Sequence, residues 1–254
     1  MHQANPVKET LRNGGVSFGC FVPMPSPEVV ELLALSGFDF ALLDSEHGRV
    51  SPDDAYAMVL AAEARGIQAM ARIGQNDRQV ILKYLDLGMT GVLIPQTTTA
   101  DDARRAIDAM RYSPRGKRGL AGSRTFDFAQ GRPMAEAIDD VNERILTMVQ
   151  FEHIDSLQHL DEVLALPELD VLFVGPTDLA LTMGYPGAPN HPEVDKVVEQ
   201  VCAAAAKTNV ALATVAPDVA TARKRIGQGF RMIVANVPTL LASASREYLA
   251  GARG

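Results

Sequence analysis

Ionisable side chains end or follow four apolar, strand-like runs of the sequence. The runs are FDFALL (38–43), IQAMA (67–71), RILTMVQF (144–151) and DVLFV (170–174). The side chains near their carboxyl ends are Asp44, Glu46 and His47, then Arg72, then Glu152, then Asp178. In a parallel α/β protein all strands end on the same rim, so these groups would converge there. Their types would suit a metal site with acid–base chemistry.

Two carboxylates of this set are candidate metal ligands. Glu152 and Asp178 offer hard oxygen donors, which suit Mg²⁺, Mn²⁺ or a similar cation. Asp178 in GPTDL could instead lie in the first turn of a helix, where the helix dipole favours an acidic side chain. Glu152 follows the apolar run TMVQF, where a carboxylate needs a charged partner. A metal site is favoured, with a helix cap or a salt bridge as the alternative for either carboxylate.

The other rim residues could move protons and bind anions. His47 is the candidate general acid/base because its ordinary pKa of about 6.5 lies near neutral pH. Arg72 ends an apolar strand, so its guanidinium needs a substrate oxyanion or a protein carboxylate, with Asp44 or Glu46 as the structural alternative. The backbone N–H groups of Thr177, Asp178 and Leu179 could cradle a carboxylate at a helix start.

Strand-like and helical patterns alternate along the whole chain. Further strands are predicted at 16–22, 90–95, 210–215 and 230–236, and helices follow the strands throughout. A helix is predicted from Ser51, an N-cap, to Arg65, with Gly66 ending it. About eight such units predict a (β/α)₈ barrel of parallel strands, in one domain over residues 1–254.

The composition excludes several classes of function. The net charge of −7 argues against a nucleic-acid partner or an anionic membrane, since both need a basic patch. No apolar stretch reaches the length of a membrane helix, and the first 15 residues carry no apolar signal-peptide core. Cys20 and Cys202 stand outside any CxxC pattern. A reducing cytoplasm is therefore the expected location.

Several catalytic motifs are missing from the sequence. It has no GxxxxGK[ST], and neither a GxGxxG nor a GxSxG follows a predicted strand. None of its six lysines stands at the carboxyl end of a predicted strand, which disfavours a Schiff-base mechanism. The loops after the last two strands, TVAPD and ANVPT, contain no glycine, which disfavours a sugar-phosphate substrate.

Six motifs together resemble the HpcH/HpaI aldolase family. They are LLDSEHG (42–48), ARIGQN (71–76), YLDLGMTGVLIPQ (84–96), RYSPRGKRG (111–119), VQFEH (149–153) and VLFVGPTDLALTMGYPG (171–187). The resemblance covers nearly the whole chain. It implies a metal-dependent, class II aldolase on a (β/α)₈ barrel. Such an enzyme cleaves 4-hydroxy-2-oxoacids to pyruvate and an aldehyde, through a pyruvate enolate held by Mg²⁺, Mn²⁺ or Co²⁺.

The resemblance also implies roles for individual residues. Glu152 and Asp178 match the metal ligands, and Arg72 matches the arginine at the keto oxygen of pyruvate. His47 matches the histidine of the base, with Asp86 as its acidic partner. The remaining matches are to the pyruvate pocket: Gln150 and the amides of Thr177 and Asp178. Ser45 and Phe21 depart from the family pattern, which leaves the aldehyde open.

The resemblance implies a homo-oligomer as well, a hexamer built as a trimer of dimers with the last helix exchanged. Three other functions remain as alternatives: a CoA-ester lyase of the malyl- or citryl-CoA type, an oxaloacetate decarboxylase, and a non-catalytic barrel that binds a 2-oxoacid. The first two would use the same carboxylates and metal.

Overall fold

Eight parallel strands form a closed barrel in which each strand pairs with its neighbours in chain order, and the last pairs with the first. This computed structural model describes residues 4–254. It confirms the predicted (β/α)₈ architecture. The strands are Ser17–Val22 (β1), Phe40–Asp44 (β2), Gln68–Arg72 (β3), Gly91–Ile94 (β4), Leu146–Phe151 (β5), Val171–Val174 (β6), Ala211–Val215 (β7) and Met232–Asn236 (β8).

Helices connect the strands and cover the barrel. They are Pro6–Arg12 (α1), Pro27–Leu35 (α2), Pro52–Arg65 (α3), Arg78–Asp86 (α4), Ala100–Met110 (α5), Met134–Arg144 (α6), Leu160–Leu164 (α7), Pro176–Thr182 (α8), Pro192–Ala205 (α9), Val219–Gly227 (α10) and Val237–Arg253 (α11). Two short 3₁₀ segments occupy Arg124–Ala129 and Ile154–His159.

The predicted ends of α3 are confirmed. Ser51 accepts a hydrogen bond from the N–H of Asp54, and the Asp54 side chain accepts one from the N–H of Ser51. This reciprocal pair satisfies two amides that a helix start leaves without partners. Gly66 ends the helix in the left-handed conformation, with a φ of 76°.

Alternate residues of each strand face the barrel interior. In β2, Phe40 and Leu42 belong to the interior cluster, whereas Ala41 and Leu43 pack outwards against the helices. This period of two is the geometry of a strand that is buried on both faces. It also places the next inward position, Asp44, at the carboxyl end of the barrel, which we call the upper rim.

Helix α1 closes the opposite end, the lower rim, and was not predicted from the sequence. Asn5 caps it by accepting hydrogen bonds from the N–H groups of Val7 and Lys8. Val7 joins the interior apolar cluster. The Lys8 ammonium donates to the carbonyl of Ile145 at 2.7 Å and pairs with Asp170 at 2.9 Å. The side chain of Val7 and the ion pair between Lys8 and Asp170 thus close the lower end of the barrel.

Helix α11 differs from the others because none of its residues is buried. Leu240, Leu241, Tyr248 and Leu249 lie exposed along it. Among residues 4–254, no helix is both long and apolar enough to cross a bilayer.

Candidate active site

The inward register of three strands, β2, β3 and β5, places most of the predicted site residues at the upper rim. In β3, Met70 lies in the interior cluster, and Arg72 is the next inward residue. In β5, Met148 lies in that cluster, so Gln150 and then Glu152 follow on the same face. Because parallel strands all end on this rim, residues more than 100 positions apart share one cavity.

Arg72 and Asp44 form the best-defined pair on the rim. They are register partners on neighbouring strands. The Arg72 guanidinium donates from Nε to Asp44 Oδ1 at 3.0 Å and from Nη2 to Oδ2 at 2.7 Å. This bidentate geometry fixes the orientation of the guanidinium plane. Phe21 supports the pair, since its ring centroid lies 4.5 Å from Arg72 Cζ.

Glu46 is the second carboxylate near Arg72. Its Oε2 lies 3.3 Å from Arg72 Nε. The same oxygen is buried and makes no hydrogen bond. Burial raises the pKa of Glu46, and the charges of Asp44 and Asp178 add to that effect while Arg72 and His47 oppose it. Arg72 is therefore shared between two carboxylates, and it neutralises the negative charge of Glu46 only in part.

Glu152 is buried at the end of β5 with 8% of its surface exposed. Its Oε1 accepts a hydrogen bond from the backbone N–H of Gln96 at 2.6 Å, and its Oε2 accepts one from the Gln150 amide. Burial raises the pKa of Glu152, and the carboxylates of Glu46 and Asp178 raise it further against the Gln96 hydrogen bond. An added cation would relieve this cost.

Asp178 reaches the cavity from α8, which begins directly after β6. The backbone N–H groups of Thr177 and Asp178 lie in the first turn, where helix geometry provides no intrahelical acceptor. Gly175 caps the helix, and a Cβ there would lie 2.9 Å from Gln150 Nε2 and 3.1 Å from Glu152 Cβ. Only glycine lets this turn approach the two side chains so closely.

His47 stands at the edge of the cavity and is 64% exposed in its side chain. Its Nε2 lies 3.8 Å from Glu46 Oε2. The backbone N–H groups of Glu46 and His47 both donate to Asp44 Oδ1 at 3.2 Å. The turn that carries the histidine is therefore held by the same carboxylate that orients Arg72.

Asp86 lies apart from these residues. It is the last residue of α4 and therefore lies at the end of that helix remote from the upper rim, because helices run back along the barrel. Its Oδ1 accepts a hydrogen bond from Arg118 Nη2 at 2.7 Å. The expected pair of His47 and Asp86 does not form within residues 4–254 of one chain. Glu46 is instead the carboxylate next to His47.

Two contributors to the site escaped the sequence analysis. Gln96 binds Glu152 through its backbone in the left-handed conformation, with a φ of 52°, which is uncommon for a residue other than glycine. Gly175 matters through a close approach that only the fold creates. The one available signal was position, since both residues directly follow strand-like runs.

The cavity between these groups measures about 380 Å³. Three carboxylates line it, those of Glu46, Glu152 and Asp178. Within the described residues no Lys or Arg lines it, and no group of three or more His, Cys, Asp or Glu side chains is arranged to hold a metal ion. Glu152 and Asp178 could supply two oxygen ligands, leaving the other positions to water and substrate.

Comparison with known proteins identifies the family of the chain. The sequence model of the HpcH/HpaI aldolase/citrate lyase family matches residues 17–242. A 2-keto-3-deoxy-L-rhamnonate aldolase of Escherichia coli O17:K52:H18 is 35% identical over 242 residues, covering 94% of this chain and 89% of the relative.

Two solved structures are closely similar in fold. An HpcH/HpaI aldolase/citrate lyase family protein from Burkholderia cenocepacia J2315 has a TM-score of 0.93 at 29% identity, covering 99% of this chain and 100% of that one. The HpcH/HpaI aldolase from Desulfitobacterium hafniense DCB-2 has a TM-score of 0.91 at 27% identity, with 97% and 96% covered.

Proposed function

Because the chain belongs to the HpcH/HpaI aldolase/citrate lyase family and is a carbon–carbon lyase of the aldolase type, we propose that it cleaves 4-hydroxy-2-oxoacids to pyruvate and an aldehyde. The convergence of Glu46, Glu152 and Asp178 on one cavity, with Arg72 Nε 3.3 Å from Glu46 Oε2, supports this proposal. Since its curated relative is named a 2-keto-3-deoxy-L-rhamnonate aldolase, a 2-keto-3-deoxy sugar acid of that kind is the first substrate to test.

A divalent cation fits the residues of the cavity. Glu152 and Asp178 would hold it, because two oxygen donors suit Mg²⁺, Mn²⁺ or Co²⁺ and because burial and mutual repulsion raise the pKa of Glu152 in its absence. When bound, such a cation draws electron density from the keto and carboxylate oxygens of the substrate. The chain's own residues then supply orientation, charge and proton transfer.

Arg72 stabilises the charge that develops on the keto oxygen. Its Nε and one N–H of Nη2 are committed to Asp44, which leaves Nη1 without a protein hydrogen bond among the described residues. A guanidinium fixed in this way is pre-organised, so it needs no rearrangement when negative charge appears. Asp44 acts indirectly by orienting it.

His47 accepts the proton of the C4 hydroxyl as the C3–C4 bond breaks. Its exposure at the cavity edge gives it access to the outer part of the substrate, and Glu46 beside it would stabilise the imidazolium. The substrate carboxylate would lie against the free N–H groups of Thr177 and Asp178, with the Gln150 side chain beside it.

Pyruvate release tests this function. Enzyme treated with EDTA is assayed on a panel of 4-hydroxy-2-oxoacids, with and without added Mg²⁺, Mn²⁺ or Co²⁺. We expect cleavage only when a cation is restored. Release of pyruvate from oxaloacetate alone would favour a decarboxylase, and cleavage of a malyl- or citryl-CoA ester alone would favour the CoA-lyase. No turnover of any of these would favour a non-catalytic barrel.

We propose that the enzyme is a cytoplasmic homo-oligomer, a hexamer in which α11 is exchanged between subunits. The support is α11, which has no buried residue and whose leucines at 240, 241 and 249 need an apolar partner surface. Both cysteines are free thiols, as suits a reducing compartment. Light scattering on the intact chain and on a chain ending at Asn236 tests the assembly, because exchange predicts that the shortened chain loses it.

A further inference from the structure

A second cavity, of about 560 Å³, lies at the lower rim, at the opposite end of the barrel from the active site. Leu146, Leu169 and Leu212 line it near the amino ends of β5, β6 and β7. Helix α1 and the carboxyl ends of α9 and α10 complete the lining. Its volume is larger than the 380 Å³ of the active-site cavity and lies within the usual range for a pocket that holds a small molecule.

The lining of the lower-rim cavity carries a net positive charge. In the described part of the chain it contains three basic side chains, Lys8, Arg12 and Arg231, and one carboxylate, Asp170. Asp170 is already neutralised, because Lys8 pairs with its Oδ1 at 2.9 Å and Arg111 with its Oδ2 at 2.9 Å. An anion that enters this cavity therefore meets a field of the opposite sign.

Arg231 is the basic side chain best placed to bind such an anion. Its Nη1 donates to the carbonyls of Ile226 at 3.2 Å and Phe230 at 3.0 Å, which orients the guanidinium. Within residues 4–254 its Nε and Nη2 make no hydrogen bond and it forms no ion pair, whereas Arg12 pairs with Glu143. The Nε and Nη2 edge is a fork that matches two oxygens of a carboxylate or a phosphate.

Two amide side chains of the lining can add donors to this fork. Gln228 Oε1 accepts a hydrogen bond from Arg225 Nη1 at 2.9 Å, which leaves its Nε2 group available. Asn209 is exposed at the cavity, and its side chain makes no hydrogen bond in the chain from residue 4 onwards. Guanidinium and amide N–H groups together suit an oxyanion.

We propose that the lower-rim cavity binds a small metabolite that carries a phosphate or carboxylate group, with the oxyanion on the Nε and Nη2 edge of Arg231. The leucines near the amino ends of the strands contact the rest of the ligand. This is a second site, separate from the active site, and it does not depend on the proposed function. A ligand there would bridge α1 to α9 and α10, since all three helices line the cavity.

Isothermal titration calorimetry on the full-length protein tests this site. The probes are glucose 6-phosphate, succinate, inorganic phosphate and, as the neutral control, glucose. We expect glucose 6-phosphate or succinate to bind with a Kd of about 1 mM or tighter, and glucose not to bind at about 10 mM. Which of the two binds distinguishes a phosphate from a carboxylate ligand. Binding of glucose equal to that of the anions, of inorganic phosphate alone, or of no probe would overturn the inference.

Two variants of the lining sharpen the test. Arg231→Gln should weaken binding of the anion at least about tenfold, because the charged fork is lost. Asn209→Asp, at an exposed position, should weaken it about three- to tenfold by placing a negative charge at the cavity. Arg223→Gln is the matched control, since Arg223 is an exposed arginine of α10 outside the cavity. Equal losses in Arg231→Gln and Arg223→Gln would contradict a specific site.

Hydrogen exchange followed by mass spectrometry locates the bound anion. We expect protection of α1 and of residues 226–231, and unchanged binding in Arg72→Ala. Protection confined to the upper rim, or loss of binding in Arg72→Ala, would place the anion in the active site and overturn the inference. These measurements need no turnover, so a failure of the proposed function and a failure of this inference are seen separately.

Discussion

The two rims of the barrel carry similar charged residues, but they differ in how well these charges are paired. At the lower rim the carboxylates bind arginines, whereas at the upper rim they are only partly neutralised. At the lower rim, Arg111 is fully buried and binds Asp170 at 2.9 Å, and Arg115 binds both Glu168 and Glu143 at 2.5 Å. At the upper rim, Arg72 pairs with both Asp44 and Glu46 and, from further away, also faces Glu152.

The carboxylates of the two rims also differ in the direction in which their pKa values are shifted. At the lower rim burial acts to raise the pKa of Glu168 and Glu143, but hydrogen bonds from Arg115 prevail and lower both, that of Glu143 to about 2. At the upper rim burial prevails, and the pKa of Glu46 and Glu152 is raised. Ion-paired carboxylates stabilise a fold, whereas poorly paired carboxylates at a cavity are typical of a site that binds a ligand.

The largest expected effect is at the upper rim, in Glu152→Gln. Aldol cleavage should fall at least about 1000-fold, because the cation that Glu152 would hold contributes several kcal/mol at the transition state. The metal-free variant should be as stable as the wild type or more so, since a repelled buried charge is gone. Steady-state kinetics and thermal melts measure the two effects.

A cation titration completes that experiment. Saturating Mn²⁺ at about 100 times its Kd should stabilise the wild type by about 2.7 kcal/mol, whereas the variant should not respond. Full activity in the variant, or an equal shift of its melting temperature, would contradict the assignment of Glu152.

At the lower rim, Arg111→Met should lower the stability of the fold and leave its activity unchanged. It removes a buried cation from Asp170 and Glu168, which keep Lys8 and Arg115 as their partners, so the free energy of unfolding should fall by about 3 kcal/mol. The turnover number of the folded fraction should be unchanged. Urea unfolding followed by circular dichroism measures the loss. Arg65→Met, which breaks an exposed pair with Glu31, should change stability by at most about 1 kcal/mol.

Arg72→Ala tests whether the Arg72 guanidinium acts on the substrate or only pairs with Asp44. We expect kcat to fall at least about 100-fold, the scale for removing one donor to a developing oxyanion. Asp44→Asn is the comparison, since it retains the guanidinium and loosens its orientation. A loss of stability in Arg72→Ala without a loss of kcat would show that Arg72 has only a structural role, as the partner of Asp44.

The smallest effect concerns pH at the lower rim. The pKa of Glu143 is about 2 in the fold and 4.5 as its ordinary value. Its ionised form therefore stabilises the fold above pH 4.5, and that contribution is lost as the pH falls toward 2. Because the side chain is 53% exposed, the contribution should stay within about 0.2–1 kcal/mol. Unfolding of wild type and Glu143→Gln should differ at pH 6 and converge near pH 2.5.

The two rims also differ in how well their residues could be predicted from the sequence. The barrel and the residues of its upper rim were predictable because strands alternate with helices and because each site residue directly follows a buried run. The surroundings of Asp86 were not, since its partner Arg118 lies 32 positions away in a long polar loop. The backbone of Gln96 and the approach at Gly175 depend on tertiary contacts that no local pattern encodes.

Helix α1 has a consequence for synthesis on the ribosome. Its Lys8 contacts Asp170, a residue 162 positions later in the chain. At about 5–20 residues per second, that carboxylate emerges roughly 8–30 seconds after the helix does. Throughout this interval Lys8 lacks the carboxylate with which it pairs in the folded barrel. Helix α1 can therefore complete its docking only after the first five strands have been synthesised.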